Sequence, residues 1–152
     1  MTSPDFPSAL ERATANSPFL ARLIEQRPAI VAHLRQGDPD AALALARQEG
    51  EACDTVSDGL RVERGGVALA VAIADLAGAW DLTQVTRTLS DFADRACDRA
   101  ITAAIVERTP DAQPQGFALI ALGKHGGREL NYSSDIDPIL LYDRETLPTK
   151  EG

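Results

Sequence analysis

Leu122-Gly-Lys-His-Gly-Gly-Arg-Glu-Leu-Asn-Tyr-Ser-Ser-Asp-Ile-Asp137 is a glycine-rich polar stretch between two short apolar runs. The run before it, Phe117-Ala-Leu-Ile-Ala-Leu122, is bounded by Gly116 and Gly123 and reads as a buried strand. The run that overlaps its end, Asp135-Ile-Asp-Pro-Ile-Leu-Leu-Tyr-Asp143, reads as a second strand. Between them, Arg128 to Asn131 reads as a short helix. The tail after Arg144 is polar and is expected to be loose. Strand, turn and strand at the end of an otherwise helical chain make the fold class α+β, mostly α.

The turn carries the chemistry. On a strand, alternate side chains share a face, so Asp135 and Asp137 would lie about 6.6 Å apart at Cα and point the same way. Two hard carboxylate donors on an open face suit Mg²⁺, which keeps waters and takes substrate phosphates as further ligands. Such a pair can stabilise the oxygens of an in-line phosphoryl displacement. Gly126-Gly127 can adopt positive φ and let the backbone approach a phosphate, with amides at a helix start as donors. Ser133 and Ser134 add hydroxyls just before the first aspartate, and Lys124 can reach a phosphate or a carboxylate. The candidate catalytic and metal-binding residues are therefore Asp135 and Asp137. The candidate phosphate-binding residues are Lys124, Gly126, Gly127, Ser133 and Ser134. His125 reads as an exposed turn histidine, with a phosphate contact as its alternative. Tyr132 and Tyr142 read as packing residues. Asp143 lies six residues past Asp137, about 20 Å along an extended strand, too far to share a metal. The stretch lacks the spacings of a P-loop, a dinucleotide fingerprint and an EF-hand.

Upstream, the punctuation is helical. Ser17-Pro18 and Asp38-Pro39 place a capping side chain before a first-turn proline. Pro28 opens a further helix, which Gly37 ends; His33 within it reads as structural. Val67 to Ala74 alternates large and small apolar residues, but its alanines favour helix over strand. Gly65-Gly66 weakens the start of that helix. Asp81 with Gln84 resembles a capping box and opens a long helix to Arg108. Its stripe is Val85, Leu89, Phe92, Ala96, Ala100 and Ala103. Asp94, Arg95, Asp98 and Arg99 on the opposite side read as a solvated face without a role. Trp80 reads as a plug at the joint between two helices.

The 152 residues are 44% hydrophobic and 25% charged, enough for a packed core. A formal net charge of −8 argues against a nonspecific nucleic-acid binder, which needs a basic patch. The only lysines are Lys124 and Lys150, so a lysine inside the glycine-rich turn stands out. Cys53 and Cys97 lack metal-ligand spacing and read as free thiols of a reducing compartment. The first residues show no basic region followed by an apolar core, and no apolar run is long enough to span a bilayer, so no secretory leader and a cytoplasmic location without membrane partners are expected.

The 122–137 stretch closely resembles the signature of the bifunctional glutamine synthetase adenylyltransferase / adenylyl-removing enzyme family. Leu76-Ala-Gly-Ala-Trp-Asp-Leu82 and Leu89-Ser-Asp-Phe-Ala-Asp94 look like the helical segment that precedes it there, and the resemblance runs loosely from about Ser17. The family has two polymerase-β-like nucleotidyltransferase domains in one long chain. One removes AMP from a tyrosine of glutamine synthetase by phosphorolysis, giving ADP, and the other attaches AMP from ATP. A PII-type nitrogen sensor controls the balance. The resemblance implies a helical region over 1–108, a connector over 109–115 and a truncated nucleotidyltransferase domain with an incomplete sheet over 116–152. It also implies that this chain corresponds to the start of the deadenylylating half. Asp135 and Asp137 match the metal-binding aspartates, and Gly126, Gly127 and Ser134 match the nucleotide-cradling turn. The implied partners are glutamine synthetase, a PII-type regulator, ATP/ADP and phosphate, with Mg²⁺ as cofactor.

Three departures qualify the likeness. The family's third carboxylate comes from a later strand than any in this sequence, so weak or absent activity of the isolated chain is expected. Pro138 replaces a usual aliphatic residue, and His125 a usually apolar one. Two other readings compete: a non-catalytic helical module that docks glutamine synthetase or the PII-type regulator, and a nucleotidyltransferase acting on RNA or an antibiotic. The acidic balance and the length of the likeness weigh against the last.

Overall fold

The computed structural model describes residues 3–110 and 113–148. Asp111 and Ala112 of the expected connector, and residues 149–152, lie outside the described residues. The chain divides between Leu89 and Ser90 into two compact units.

The first unit is a helical bundle of α1 (Phe6–Asn16), α2 (Pro18–Gln26), α3 (Pro28–Arg35), α4 (Pro39–Glu51) and α5 (Val56–Leu76), followed by the start of α6 (Leu82–Arg108). Local chemistry sets the helix starts. The Ser17 hydroxyl accepts the Leu20 amide at 3.3 Å, and an Asp38 oxygen accepts the Ala41 amide at 2.8 Å. Each satisfies a donor that the first turn leaves open. Asp81 and Gln84 make the reciprocal capping box, at 2.8 and 3.2 Å. Gly37, at φ 77°, follows the end of α3. In α3, the His33 carbonyl accepts the Gln36 and Asp38 amides.

The helix α5 is the centre of this unit. Leu69, Ala70, Val71, Ile73 and Ala74 are all inaccessible to solvent. A helix buried on every side has no polar stripe, which is why Val67–Ala74 shows no clear 3.6 period. The helix begins well before Gly65-Gly66 and runs through both glycines. A Cβ on Gly66 would stand 2.4 Å from the Ala46 Cβ, so the lack of a side chain at Gly66 lets α4 and α5 approach closely there. The Arg27 guanidinium fastens α4 and α5, donating to Glu49 at 2.7 Å and to the Val62 carbonyl at 3.1 Å. Trp80 is half-buried in the link between α5 and α6.

The second unit contains the rest of α6, the strands β1 (Phe117–Ala121) and β2 (Pro138–Tyr142), and between them the single helical turn α7 (Gly123–Gly126). The strands are antiparallel, with Phe117 opposite Tyr142 and Ala121 opposite Pro138. Pro138 begins its strand, a position where the missing N–H is tolerated. Leu122 N–H donates to the Asp137 carbonyl at 3.3 Å and extends the pairing by one step.

Several expectations for this unit are corrected. The first strand is not buried: its residues alternate between half-buried and exposed, and β2 is exposed along its length. Two strands alone cannot cover their own faces. Tyr132 and Tyr142, expected to pack, are 52% and 57% exposed. The tail is not loose as far as Pro148. Asp143 caps the turn that follows it, and the Leu147 backbone returns so close to Gly116 that a Cβ there would stand 2.4 Å from the Leu147 nitrogen. In α6, Val85 is buried and Leu89, Phe92, Ala96 and Ala103 are half-buried, but Ala100 is exposed.

Candidate functional site

The glycine-rich turn leaves β1, passes through α7 and reaches β2 by residues 127–137. The expected helix over Arg128–Asn131 is absent; the helical turn lies upstream, at Gly123–Gly126. Arg128 takes φ 57°, a left-handed conformation that stops helix growth. Positive φ falls on Gly123, at 56°, and on Arg128, not on the Gly126-Gly127 pair. Gly126 serves a different need. A Cβ on it would stand 2.4 Å from the Ala121 carbonyl oxygen, so the turn folds tightly under the end of β1.

The predicted residues are placed as follows. Lys124 is exposed in α7. The Gly126 and Gly127 amides donate to the Leu122 and Gly123 carbonyls at 3.1 and 3.0 Å, so in this conformation the turn's own backbone takes them. Ser133 N–H donates to the Asn131 side-chain oxygen at 3.0 Å. The Ser134 hydroxyl accepts the Asn131 amide at 3.0 Å, which leaves its own proton to donate. Asp135 and Asp137 are both exposed and precede β2, which begins at Pro138. Their shared facing therefore does not follow from strand alternation, since neither lies within the strand.

Among the described residues, no cluster of three or more His, Cys, Asp or Glu side chains is placed to hold a metal ion. Asp135 and Asp137 supply two exposed oxygen donors. That set fits Mg²⁺, which binds through one or two carboxylates together with waters and substrate phosphates.

Sequence reading missed what holds the turn. His125 is buried, not exposed, with 3% of its surface accessible. Its Nε2 lies 2.8 Å from an Asp94 carboxylate oxygen, and its Nδ1 is buried without a partner. Asp94 is therefore not a roleless member of a solvated face. Arg128 pairs with Asp91, one helical turn earlier on α6, and the buried Ser90 hydroxyl accepts the Leu130 amide at 3.4 Å. Ser90, Asp91 and Asp94 lie at i, i+1 and i+4 on one side of α6, a spacing visible in sequence, but nothing local names their partners.

Past the far end of β2, away from the glycine-rich turn, Asp143 accepts the Glu145 amide at 3.0 Å and the Thr146 hydroxyl at 2.9 Å. The amide bond first, and then the hydroxyl, hold its carboxyl below the usual aspartate range. The Cys97 thiol on α6 is pushed up by burial and then by the neighbouring Asp94 and Asp98. None of the helices among the described residues is long and apolar enough to cross a membrane.

A helical bundle running into a strand, a glycine-rich turn and a Ser-Ser-Asp-x-Asp segment is an arrangement with known relatives. The family model for glutamate-ammonia ligase adenylyltransferase matches residues 8–152, and the chain belongs to that family. It is 39% identical over 154 residues to the bifunctional glutamine synthetase adenylyltransferase/adenylyl-removing enzyme of Xanthobacter autotrophicus, an alignment covering 89% of this chain and 15% of that protein. Proteins of the same description from Rhodopseudomonas palustris and Caulobacter vibrioides are 36% and 38% identical, over 92% and 91% of this chain. The chain spans 15% to 16% of the length of these curated relatives. No solved structure matches.

Proposed function

We propose that this chain forms the nucleotide-binding entry to a nucleotidyltransferase domain that controls glutamine synthetase by adenylylation and its reversal. The observation that carries this reading is the exposed pair Asp135 and Asp137, set directly after the Ser133 and Ser134 hydroxyls in a chain of this family. We assign the chain to the deadenylylating direction, with inorganic phosphate and an adenylylated tyrosine as substrates and ADP as product. A phosphate oxygen attacks the phosphorus of the tyrosine-bound AMP, the bond to the tyrosine oxygen breaks, and that oxygen recovers a proton. Bound Mg²⁺ would neutralise the charge that develops on the phosphoryl oxygens. Asp135 and Asp137 would hold it, while the Ser133 and Ser134 hydroxyls and Lys124 orient phosphate oxygens. Gly126 and Gly127 shape the turn that brings these groups together. A PII-type sensor is the proposed regulator and the cytoplasm the proposed location.

With two carboxylates and no third joining them among the described residues, the 152-residue chain is expected to bind nucleotide but turn over little. Calorimetric titration of ADP with and without Mg²⁺ tests the site. Binding should need Mg²⁺ and disappear in Asp135→Ala/Asp137→Ala. Binding that survives the double substitution removes the carboxylates from the site, and the docking-module reading of the helical unit takes its place. Parallel incubations, one with adenylylated glutamine synthetase and phosphate and one with unmodified glutamine synthetase and ATP, test the direction: slow release of ADP in the first supports it, whereas AMP incorporation in the second alone overturns it.

A further inference from the structure

The glycine-rich turn is held from outside its own sequence. Its residues between 125 and 130 meet α6 at three points: His125 to Asp94, Arg128 to Asp91, and Leu130 N–H to Ser90. The three α6 residues fall on one side of that helix, and their partners span the segment leading into Asn131, Ser133 and Ser134. We propose that Asp94 and Asp91 are positioning residues for the nucleotide site, clamping the turn so that the Ser133–Asp137 segment is presented in one arrangement. The proposal rests on the site reading above.

The two sides of the Asp94 pair differ in exposure, and that asymmetry makes the clamp testable. The Asp94 side chain is 50% exposed and that of His125 is 1% exposed. A half-exposed carboxylate that loses its partner is rehydrated at little cost. A buried imidazole that loses its partner cannot be, and here its second nitrogen already has none. A carboxylate facing Nε2 also fixes the proton on that nitrogen and so the ring's orientation. Removing Asp94 should therefore drive His125 outward and loosen the turn. Removing His125 as well should remove the cause.

The test uses the 152-residue chain as wild type, Asp94→Ala, Asp91→Ala and Asp94→Ala/His125→Leu. Two quantities are read: affinity for Mg²⁺·ADP, and hydrogen exchange of the Gly126 and Gly127 amides, which donate within the turn. In Asp94→Ala, affinity should weaken about tenfold, the factor that one orphaned buried group corresponds to, and exchange should accelerate similarly. Adding His125→Leu should recover both to within about threefold, a rescue that simple loss of a stabilising contact does not give. Affinity and exchange in Asp94→Ala both within twofold of wild type would overturn the clamp. So would failure of the second substitution to recover them. If the wild-type chain binds no ADP, the site reading fails and the exchange arm alone decides the clamp by the same outcomes. If Asp94→Ala does not fold, Asp91→Ala decides: faster exchange at Gly126 and Gly127 supports the clamp, and unchanged exchange overturns it.

Discussion

Gly126 lies so close beneath β1 that a Cβ placed on it would stand 2.4 Å from the carbonyl oxygen of Ala121. The obstacle is backbone, which cannot rotate aside as a side chain can. Gly126→Ala should destabilise the second unit by about 1–3 kcal/mol, the usual range for overpacking. Gly127 is the control. It has φ −79°, and its nearest neighbour to a Cβ is the Gly123 oxygen at 3.5 Å, so Gly127→Ala should change stability by about 0.5 kcal/mol or less. Hydrogen exchange of the β1 amides under native conditions reads both variants. Equal effects would show that the close approach is not real.

The helical unit offers a parallel case with a reversed prior. Gly→Ala inside a helix ordinarily stabilises by about 1 kcal/mol. At Gly66 the added methyl would stand 2.4 Å from the Ala46 Cβ and 2.9 Å from the Ile30 Cδ1. Gly66→Ala is expected to destabilise by about 1–3 kcal/mol, and Gly66→Ala/Ala46→Gly to recover part of the loss. Urea unfolding followed through the half-buried Trp80 measures both. A stabilised single variant would mean that α4 and α5 stand farther apart than described.

The Asp143 turn should respond to acid in a definite direction. Its carboxyl titrates below its ordinary value because the charged form accepts the Glu145 amide and the Thr146 hydroxyl. A depressed folded-state value stabilises the turn above the ordinary aspartate range of about 3.9, and that contribution is lost as pH falls through the lower folded value. The Glu145 and Leu147 amide resonances should therefore shift together only below about pH 4, where an aspartate of ordinary value is already half protonated. Asp143→Ala should abolish this step while leaving the α1–α5 resonances in place.

Cys97 provides a chemical reading of α6. Its thiol is held protonated by burial first, then by Asp94 and Asp98. At pH 8 it should react with iodoacetamide more slowly than a cysteine in an unfolded peptide, because only the thiolate attacks. Asp98→Asn should accelerate the reaction modestly, since it removes a lesser cause and leaves burial intact. A rate equal to that of the peptide would contradict the described environment.

The parts of this structure visible in sequence are those whose causes lie within about four residues. Ser17-Pro18, Asp38-Pro39 and Asp81 with Gln84 announce helix starts because a cap and its target amide are close in the chain. The glycine-rich turn, with Ser133, Ser134, Asp135 and Asp137, is likewise legible as a composition. Its conformation is not. The expected helix at Arg128 is replaced by a left-handed residue whose partner, Asp91, lies 37 positions away, and burial of His125 depends on Asp94, 31 positions away. No local rule couples residues so separated. The exposed strands were misjudged for a related reason: an apolar run predicts that burial is wanted, not that these 152 residues supply the covering surface.

Arg128 is the one non-glycine residue with positive φ among the described residues. A left-handed conformation disfavours an L-residue by about 1–2 kcal/mol, and here the opposing attraction is an ion pair whose two side chains are each about half exposed. Counter-ions weaken such an exposed pair once the Debye length, about 10 Å at 0.1 M, shrinks toward the pair's own separation at about 3 Å in 1 M salt, but they leave the torsional penalty untouched. Ionic strength should therefore act as a selective solvent for this bend, softening it while the apolar bundle upstream tightens or stays indifferent.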